Sequence, residues 1–174
     1  MKFTIQKSLR ILENTPEIIE TLLSGLDEEW LYANEGDNTW NPFDVVGHLI
    51  EGEKTDWIPR LQIIVGNSKD RKFVPFDRFK QQNVNRGVPI STLIAEFREC
   101  RKKSLDFLKS ISITEELLAR TGIHPEFGEV NLKQLLATWV THDLAHLSQI
   151  TRIMAKQYKE EIGPWQAYFN IFKS

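Results

Sequence analysis

Three of the four histidines in this chain occur at spacings that suit a metal site. His142 and His146 are four residues apart in WVTHDLAHLSQI, and His48 lies in NPFDVVGHLI. Both segments have the pattern of amphipathic helices, and residues at i and i+4 lie on the same helix face. A third imidazole from a facing helix would complete a set of three ligands and leave one position open, as catalytic metals require. The sequence therefore predicts His48, His142 and His146 as ligands of one divalent transition metal.

The HxxxH spacing alone is a weak signal. Asp143 stands where zinc proteases have glutamate, so their signature does not match. Two helix-face histidines with ordinary hydrogen bonds are the alternative interpretation. The apolar neighbours Leu135 and Trp139 favour the metal, because buried imidazoles need partners. Imidazole ligands alone do not choose among Zn²⁺, Ni²⁺, Fe²⁺ and Co²⁺.

The other candidate residues have supporting or structural roles. Gln149 and Glu51, each about one turn from a predicted ligand, are predicted to accept hydrogen bonds from the outer imidazole N–H groups. His124 precedes a proline in GIHPEFG and is interpreted as a loop residue. Cys100 is interpreted as a half-buried structural cysteine rather than a reactive thiol. No catalytic side chain is assigned beyond a water or thiolate on the metal.

The whole chain has the composition of an ordinary globular protein. Its 174 residues fit one domain, 1–174, with 41% hydrophobic residues, 26% charged residues and a formal net charge of −2. The lack of a basic excess argues against a nucleic-acid partner. We find no membrane-spanning run and no signal peptide, so no membrane association is expected. Because the single cysteine cannot form an internal disulfide, a cytoplasmic location is predicted.

Hydrophobic periods predict four long helices and an all-α fold. They extend over about 4–24, 41–65, 89–110 and 131–158. Pro16 predicts a kink or a restart of the first helix, with Thr15 as its cap. Asn41 and Asn131 are the predicted N-caps of the second and fourth helices. Pro59 should bend the second helix near Thr55.

The connection 66–88 is long and lacks a helical period. A link of this length crosses a bundle or covers a site. Phe73, Phe76 and Phe79 are positioned to pin it onto the helices. The turn-rich segment TGIHPEFGEV predicts a small β-hairpin or extended loop. Four long helices with one long crossover describe a four-helix bundle.

Four ordered segments resemble the DinB/YfiT-like family across nearly the whole chain. They are WNPFDVVGHL at 40–49, EGEKTDWIPR at 51–60, HPEFGEVNL at 124–132 and WVTHDLAHLSQI at 139–150. The resemblance implies a four-helix bundle with up-down-down-up topology and a long crossover between the second and third helices. It also implies one histidine ligand on the second helix and two on the fourth, which map onto the three histidines named above. The family name comes from a DNA-damage-inducible gene and does not imply DNA binding.

Three functions remain open. The family resemblance implies a metal-dependent transferase that moves a low-molecular-weight thiol, such as bacillithiol, to a small electrophile. A metal-dependent hydrolase is the second possibility, and a non-catalytic metal-binding stress-response module is the third. In the first two cases the partner is a small-molecule substrate. The resemblance also implies a homodimer.

Overall fold

Four long helical segments dominate the fold. The computed structural model describes residues 1–67, 69–80 and 87–172. The first long segment is α1 (Ile5–Leu23). The second consists of α3 (Pro42–Gly52), a π-helical turn (Glu53–Trp57) and α4 (Ile58–Val65), which follow one another without a break. The third and fourth are α5 (Ile90–Lys109) and α7 (Leu132–Gln157). Shorter elements are α2 (Glu28–Tyr32), α6 (Glu115–Ala119), β1 (Thr121–His124), β2 (Gly128–Asn131) and two 3-10 turns (Gly163–Tyr168 and Asn170–Phe172).

Capping boxes begin the two helices that carry the histidines. The side chain of Asn41 accepts from the backbone N–H of Asp44 at 2.8 Å, and the Asp44 carboxylate accepts from the backbone N–H of Asn41 at 3.3 Å. Asn131 and Gln134 make the same reciprocal pair at 2.9 and 2.8 Å. Both predicted N-caps are confirmed, and they fix where α3 and α7 start.

Pro16 lies inside a continuous α1, so the predicted restart with Thr15 as cap is wrong. Thr4 caps the helix instead, and the Thr15 hydroxyl donates to the carbonyl of Ile11 at 3.0 Å. Proline has no N–H, so the carbonyl of Leu12 has no intrahelical partner. Arg101 of α5 donates from Nη1 to this carbonyl at 2.8 Å. A contact between helices thus replaces the missing helical bond.

Two core clusters establish the helix directions. One contains residues from the start of α3 and of α5 and from the end of α1 and of α7: Val46, Leu93, Ile19 and Ile153. The other contains residues from the end of α4 and of α5 and from the first part of α1 and of α7: Ile64, Leu108, Leu12 and Leu135. The segment α3–α4 therefore runs parallel to α5 and antiparallel to α1 and α7. This is a four-helix bundle with up-down-down-up topology, as predicted.

The parallel pair requires a crossover from α4 to α5, as predicted, and this crossover packs on the hairpin. Strands β1 and β2 are antiparallel, which confirms the predicted hairpin. The crossover joins β1 through reciprocal backbone bonds of 2.8 Å, from Phe73 to Ile123 and from Ile123 to Arg71. Phe73 is buried, and a Cβ at Gly122 would collide with its ring. Part of the predicted crossover, residue 68 and residues 81–86, lies outside the described residues.

The second long helix does not simply bend before Pro59. It contains a π-helical turn at Glu53–Trp57, where the i→i−4 pattern is interrupted. The side chains of Glu53, Asp56 and Trp57 are all buried in this single turn. Among the described helices, none combines the length and apolarity that a membrane crossing needs.

Candidate metal centre

The structure brings the three predicted histidines together. His48 on α3 and the pair His142 and His146 on the antiparallel α7 face one another. Nε2 of His142 lies 2.9 Å from Nε2 of His48 and 3.1 Å from Nε2 of His146. The candidate ligand atoms all lie within 4.8 Å of one another. We refer to His48, His142 and His146 as the histidine cluster.

Gln149 fixes the tautomer of one imidazole. Its Oε1 lies 2.8 Å from Nδ1 of His146, so this ring nitrogen carries the proton and donates it. Nε2 of His146 is then unprotonated and presents its lone pair to the cluster. This is the arrangement of a ligating histidine whose outer N–H is held by an acceptor. Gln149 therefore lies where the sequence predicts it.

Burial keeps the cluster neutral. It lowers the pKa of His48 to about 3 and that of His142 to about 2, with nearby imidazoles adding to both shifts. Burial also lowers the pKa of His146, and the hydrogen bond that His146 donates to Gln149 opposes this shift. Neutral imidazole is the form that binds a metal, so no proton must leave at neutral pH.

These residues fit a divalent transition metal. Two nitrogen atoms that each lie about 2.0–2.1 Å from one ion are roughly 3 Å apart, which matches the two closest separations in the cluster. Nδ1 of His142 is buried without a hydrogen-bond partner among the described residues. Three neutral nitrogens crowded together satisfy one another poorly, and a shared cation would satisfy all three lone pairs. The role of these histidines as ligands stays a prediction.

The cluster opens into a cavity of about 930 Å³. Aromatic rings form much of the wall around the histidines. Trp40 lies 4.6 Å from the ring of His48 and Phe76 lies 5.4 Å from it, both between ring centroids. The ring of Trp57 lies 5.1 Å from that of His142. The cavity offers an apolar space in which a small molecule would meet the Nε2 atoms.

The crossover supplies part of this wall. Phe76 contacts His48, and the ring of Phe79 lies 6.3 Å from that of Trp40, although Phe79 is exposed. Phe73, which precedes both residues in the chain, is buried against the hairpin. Within the described part of the crossover, the predicted covering role is thus observed at Phe76 and Phe79.

Three other predicted residues have different surroundings. The carboxylate of Glu51 pairs with Nζ of Lys80 at 2.6 Å, so its predicted role as acceptor for an imidazole is not what the structure shows. On α3 the position three residues after His48 faces the crossover, where Lys80 lies. Cys100 is half-buried on α5, as predicted. The prediction of His124 as a loop residue is wrong, because it is the last residue of β1 and pairs with Gly128 of β2; it also lines the cavity.

Sequence reasoning missed a buried ion cluster behind the histidines. Arg101 donates to both carboxylate oxygens of Asp143, at 2.6 and 3.0 Å, and from Nε to Glu53 at 3.0 Å. Trp139 also donates to Glu53, at 3.1 Å. Burial raises the pKa of Glu53, and Arg101 opposes that rise. One signal in the sequence could have indicated this cluster. Arg101 lies four residues after Phe97, so it falls on the apolar face of its helix, where a charged side chain needs a buried partner.

The fold and the histidine cluster define a four-helix-bundle protein with a candidate metal centre. Residues 11–150 match the DinB superfamily, and the chain belongs to that family. The predicted family resemblance is confirmed. None of the curated proteins compared with the chain matches it.

Solved structures share the fold of the chain. YfiT from Bacillus subtilis, described as a probable metal-dependent hydrolase with an unusual four-helix bundle topology, is 18% identical, with a TM-score of 0.75 and 90% of each chain covered. A DinB-like protein from Bacillus cereus is 20% identical, with a TM-score of 0.59 over 90% of this chain and 95% of the other. The four-helix bundle protein TT2238 is 20% identical, with a TM-score of 0.57 over 85% and 98%. At these identities the likeness shows the shared fold.

Proposed function

We propose that the protein is a metal-dependent enzyme that transfers a low-molecular-weight thiol of the bacillithiol type to a small electrophile. The histidine cluster would hold one divalent ion, Zn²⁺, Ni²⁺ or Fe²⁺. The observation that carries the proposal is the convergence of three neutral imidazole nitrogens at the wall of an open cavity. When bound, such an ion lowers the pKa of a thiol and so supplies a nucleophile at neutral pH.

The chain itself supplies positioning and a water-poor environment. Gln149 holds His146 in the tautomer that presents Nε2. Trp40, Trp57 and Phe76 surround the cluster with apolar surface. A cavity of about 930 Å³ is large for one small ligand and has space for a thiol and an acceptor side by side. This capacity favours transfer between two substrates.

Hydrolysis is the second candidate, because YfiT is described as a probable metal-dependent hydrolase. The same ion would then activate water instead of a thiol. A non-catalytic role is less well supported. Structural zinc sites have four protein ligands. The ligand group found among the described residues has three, all histidines.

The first experiment measures bound metal in the purified, untagged protein by elemental analysis. We expect about one transition-metal ion per chain, and its loss in His142→Ala. His124→Ala is the matched control, since it removes the one histidine outside the cluster and should keep the metal. A wild-type protein that binds no metal, even after reconstitution with Zn²⁺, Ni²⁺ and Fe²⁺, would refute both enzymatic functions.

The second experiment separates the two reactions. Metal-loaded protein is incubated with several low-molecular-weight thiols and a chlorinated aromatic acceptor, and release of chloride is followed. Thiol-dependent turnover that His142→Ala abolishes supports the transferase. Turnover of esters or amides that needs no thiol and rises with pH supports the hydrolase. The homodimer and the cytoplasmic location remain predictions from the sequence.

A further inference from the structure

A second polar group lines the same cavity outside the histidine cluster. It consists of Asp56 from the π-helical turn, Arg60 from α4 and His124 from the end of β1, which we call the polar wall. Two of these residues, Arg60 and His124, lie close to Phe73. The guanidinium carbon of Arg60 lies 5.3 Å from the Phe73 ring centroid, and the His124 ring lies 6.3 Å from it between centroids. Separate elements of the fold therefore place these polar groups together at the cavity.

The ion pair in the polar wall is buried and incompletely hydrogen-bonded. The side chains of Arg60 and Asp56 are only 10% and 9% exposed, and Nε lies 2.6 Å from Oδ1. The N–H of Arg60 does not point along this line, so both atoms are buried without a hydrogen-bond partner among the described residues. Burying a charged pair is costly unless further hydrogen bonds satisfy it. The pair Lys102 and Asp106 has the same i,i+4 spacing but lies in solvent, where it avoids this cost.

His124 adds a donor of known tautomer. Its Nδ1 accepts from the backbone N–H groups of Glu126 and Phe127, at 3.1 and 3.3 Å. The proton of the neutral ring must then be on Nε2, which is a donor. The ring also stacks on Phe127, with 4.5 Å between centroids. Burial and the charge of Arg60 lower the pKa of His124, so the ring is neutral at pH 7.

We propose that the polar wall binds an uncharged amide group of the substrate. The amide oxygen would accept from Arg60 and His124, and the amide N–H would donate to Asp56. The charges of Asp56 and Arg60 cancel, and His124 is neutral, so the wall has no net charge to attract an ion. A carboxylate could pair with Arg60 but would meet the like charge of Asp56, and an ammonium group could pair with Asp56 but would meet Arg60. An amide satisfies the donors and the acceptor together.

This inference rests on the proposed function, because it names a chemical group of the substrate that occupies the same cavity. Binding of an amide at the polar wall can be tested without a bound metal. Benzamide and benzoate are suitable probes, since they differ only in the amide and carboxylate groups and their rings suit an aromatic cavity. Binding to the full chain is followed by NMR, through the indole N–H signal of Trp57, which lies beside Asp56 and lines the cavity.

We expect the wild type to bind benzamide at least about tenfold more tightly than benzoate, the effect of one hydrogen bond to a charged group. In Asp56→Asn the charge of Arg60 is no longer neutralised, so the preference should reverse towards benzoate. Asp106→Asn removes an exposed aspartate of the same i,i+4 type and should leave the preference unchanged. In Arg60→Met, benzamide binding should weaken at least about tenfold.

Two further variants keep the test decisive if Arg60→Met does not fold. His124→Phe retains an aromatic ring against Phe127 but lacks the donor, and should also weaken benzamide binding. His142→Ala, which tests the metal, should keep the benzamide preference. Affinities within about threefold of each other in the wild type would overturn the proposal, since one such hydrogen bond should exceed that ratio. Loss of the preference in His142→Ala would overturn it too, because benzamide would then be bound at the histidine cluster.

Discussion

Replacing Arg101 by methionine should be among the most damaging single changes outside the cavity. The side chain of Arg101 is 2% exposed, and its guanidinium donates to Asp143, to Glu53 and to the carbonyl of Leu12. Methionine fills much of the same volume but leaves two buried carboxylates without a cation. Removing one partner of a buried ion pair costs about 3–5 kcal/mol, a large part of the roughly 5–15 kcal/mol that stabilises a typical domain.

The loss should depend on pH in a defined direction. The pKa of Glu53 is already raised above its ordinary value of 4.5 by burial, with Arg101 opposing the rise. Without Arg101 it rises further. A carboxyl group whose pKa is raised by folding favours the folded state below its unfolded pKa, and this contribution disappears as pH rises through the folded value. The deficit of Arg101→Met should therefore be smallest at about pH 4.5 and below, and it should grow as the pH rises from there.

Urea unfolding followed by tryptophan fluorescence measures this free energy, and thermal unfolding should show a midpoint lower by about 6–20 °C. Arg98→Met is the matched control on the same helix. Arg98 pairs with Glu20 at the surface, where its side chain is 52% exposed, so the change should cost about 0–1 kcal/mol. If Arg101→Met unfolds within about 1 kcal/mol of the wild type at pH 7, the buried ion cluster does not have the role described here.

Three other predictions concern the cavity and its rim. Glu35 accepts from Arg152 and pairs with Lys156, and these contacts lower the pKa of Glu35 from 4.5 to about 2. Glu35→Gln should therefore lower the free energy of unfolding by about 1–2 kcal/mol at pH 7. This deficit should vanish between pH 4.5 and about 2 in a pH series of urea unfolding, whereas a constant deficit would contradict the shifted pKa. Gln149→Leu should weaken zinc binding about 10–100-fold in calorimetric titrations without a matching loss of stability, and unchanged affinity would show that Gln149 does not support the site. Titrations with zinc at pH 6, repeated in buffers of different ionisation enthalpy, count the protons released on binding. We expect almost none, whereas three histidines of ordinary pKa would release roughly two per zinc ion.

The features that were predictable from sequence depend on nearby residues. The capping boxes at Asn41 and Asn131 join residues three positions apart, and the pair His142 and His146 needs only the helical period. His48 could be added because its apolar neighbours place it on the inner face of a second helix. The resemblance to a known family then supplied the bundle topology.

The features that were missed depend on contacts between distant segments. Nothing near Asp143 in the sequence shows that it pairs with Arg101, 42 residues earlier. Glu51 faces Lys80 rather than an imidazole because the crossover lies on that side of α3. The π-helical turn places both Glu53 and Asp56 inside the protein, which a regular helical period does not anticipate.

The proline in α1 has a consequence for how the bundle selects a single arrangement. Apolar ridges allow neighbouring helices to slide or rotate by one position at modest cost. Pro16 marks one peptide group, the carbonyl of Leu12, as the place on α1 where an outside donor is needed. Arg101 is that donor, and a shift of α1 by one turn would leave the carbonyl of Leu12 buried and without a partner. A residue that weakens its own helix thereby encodes the register of the helix against its neighbours, and an alanine there would make α1 a better helix in a less uniquely defined bundle.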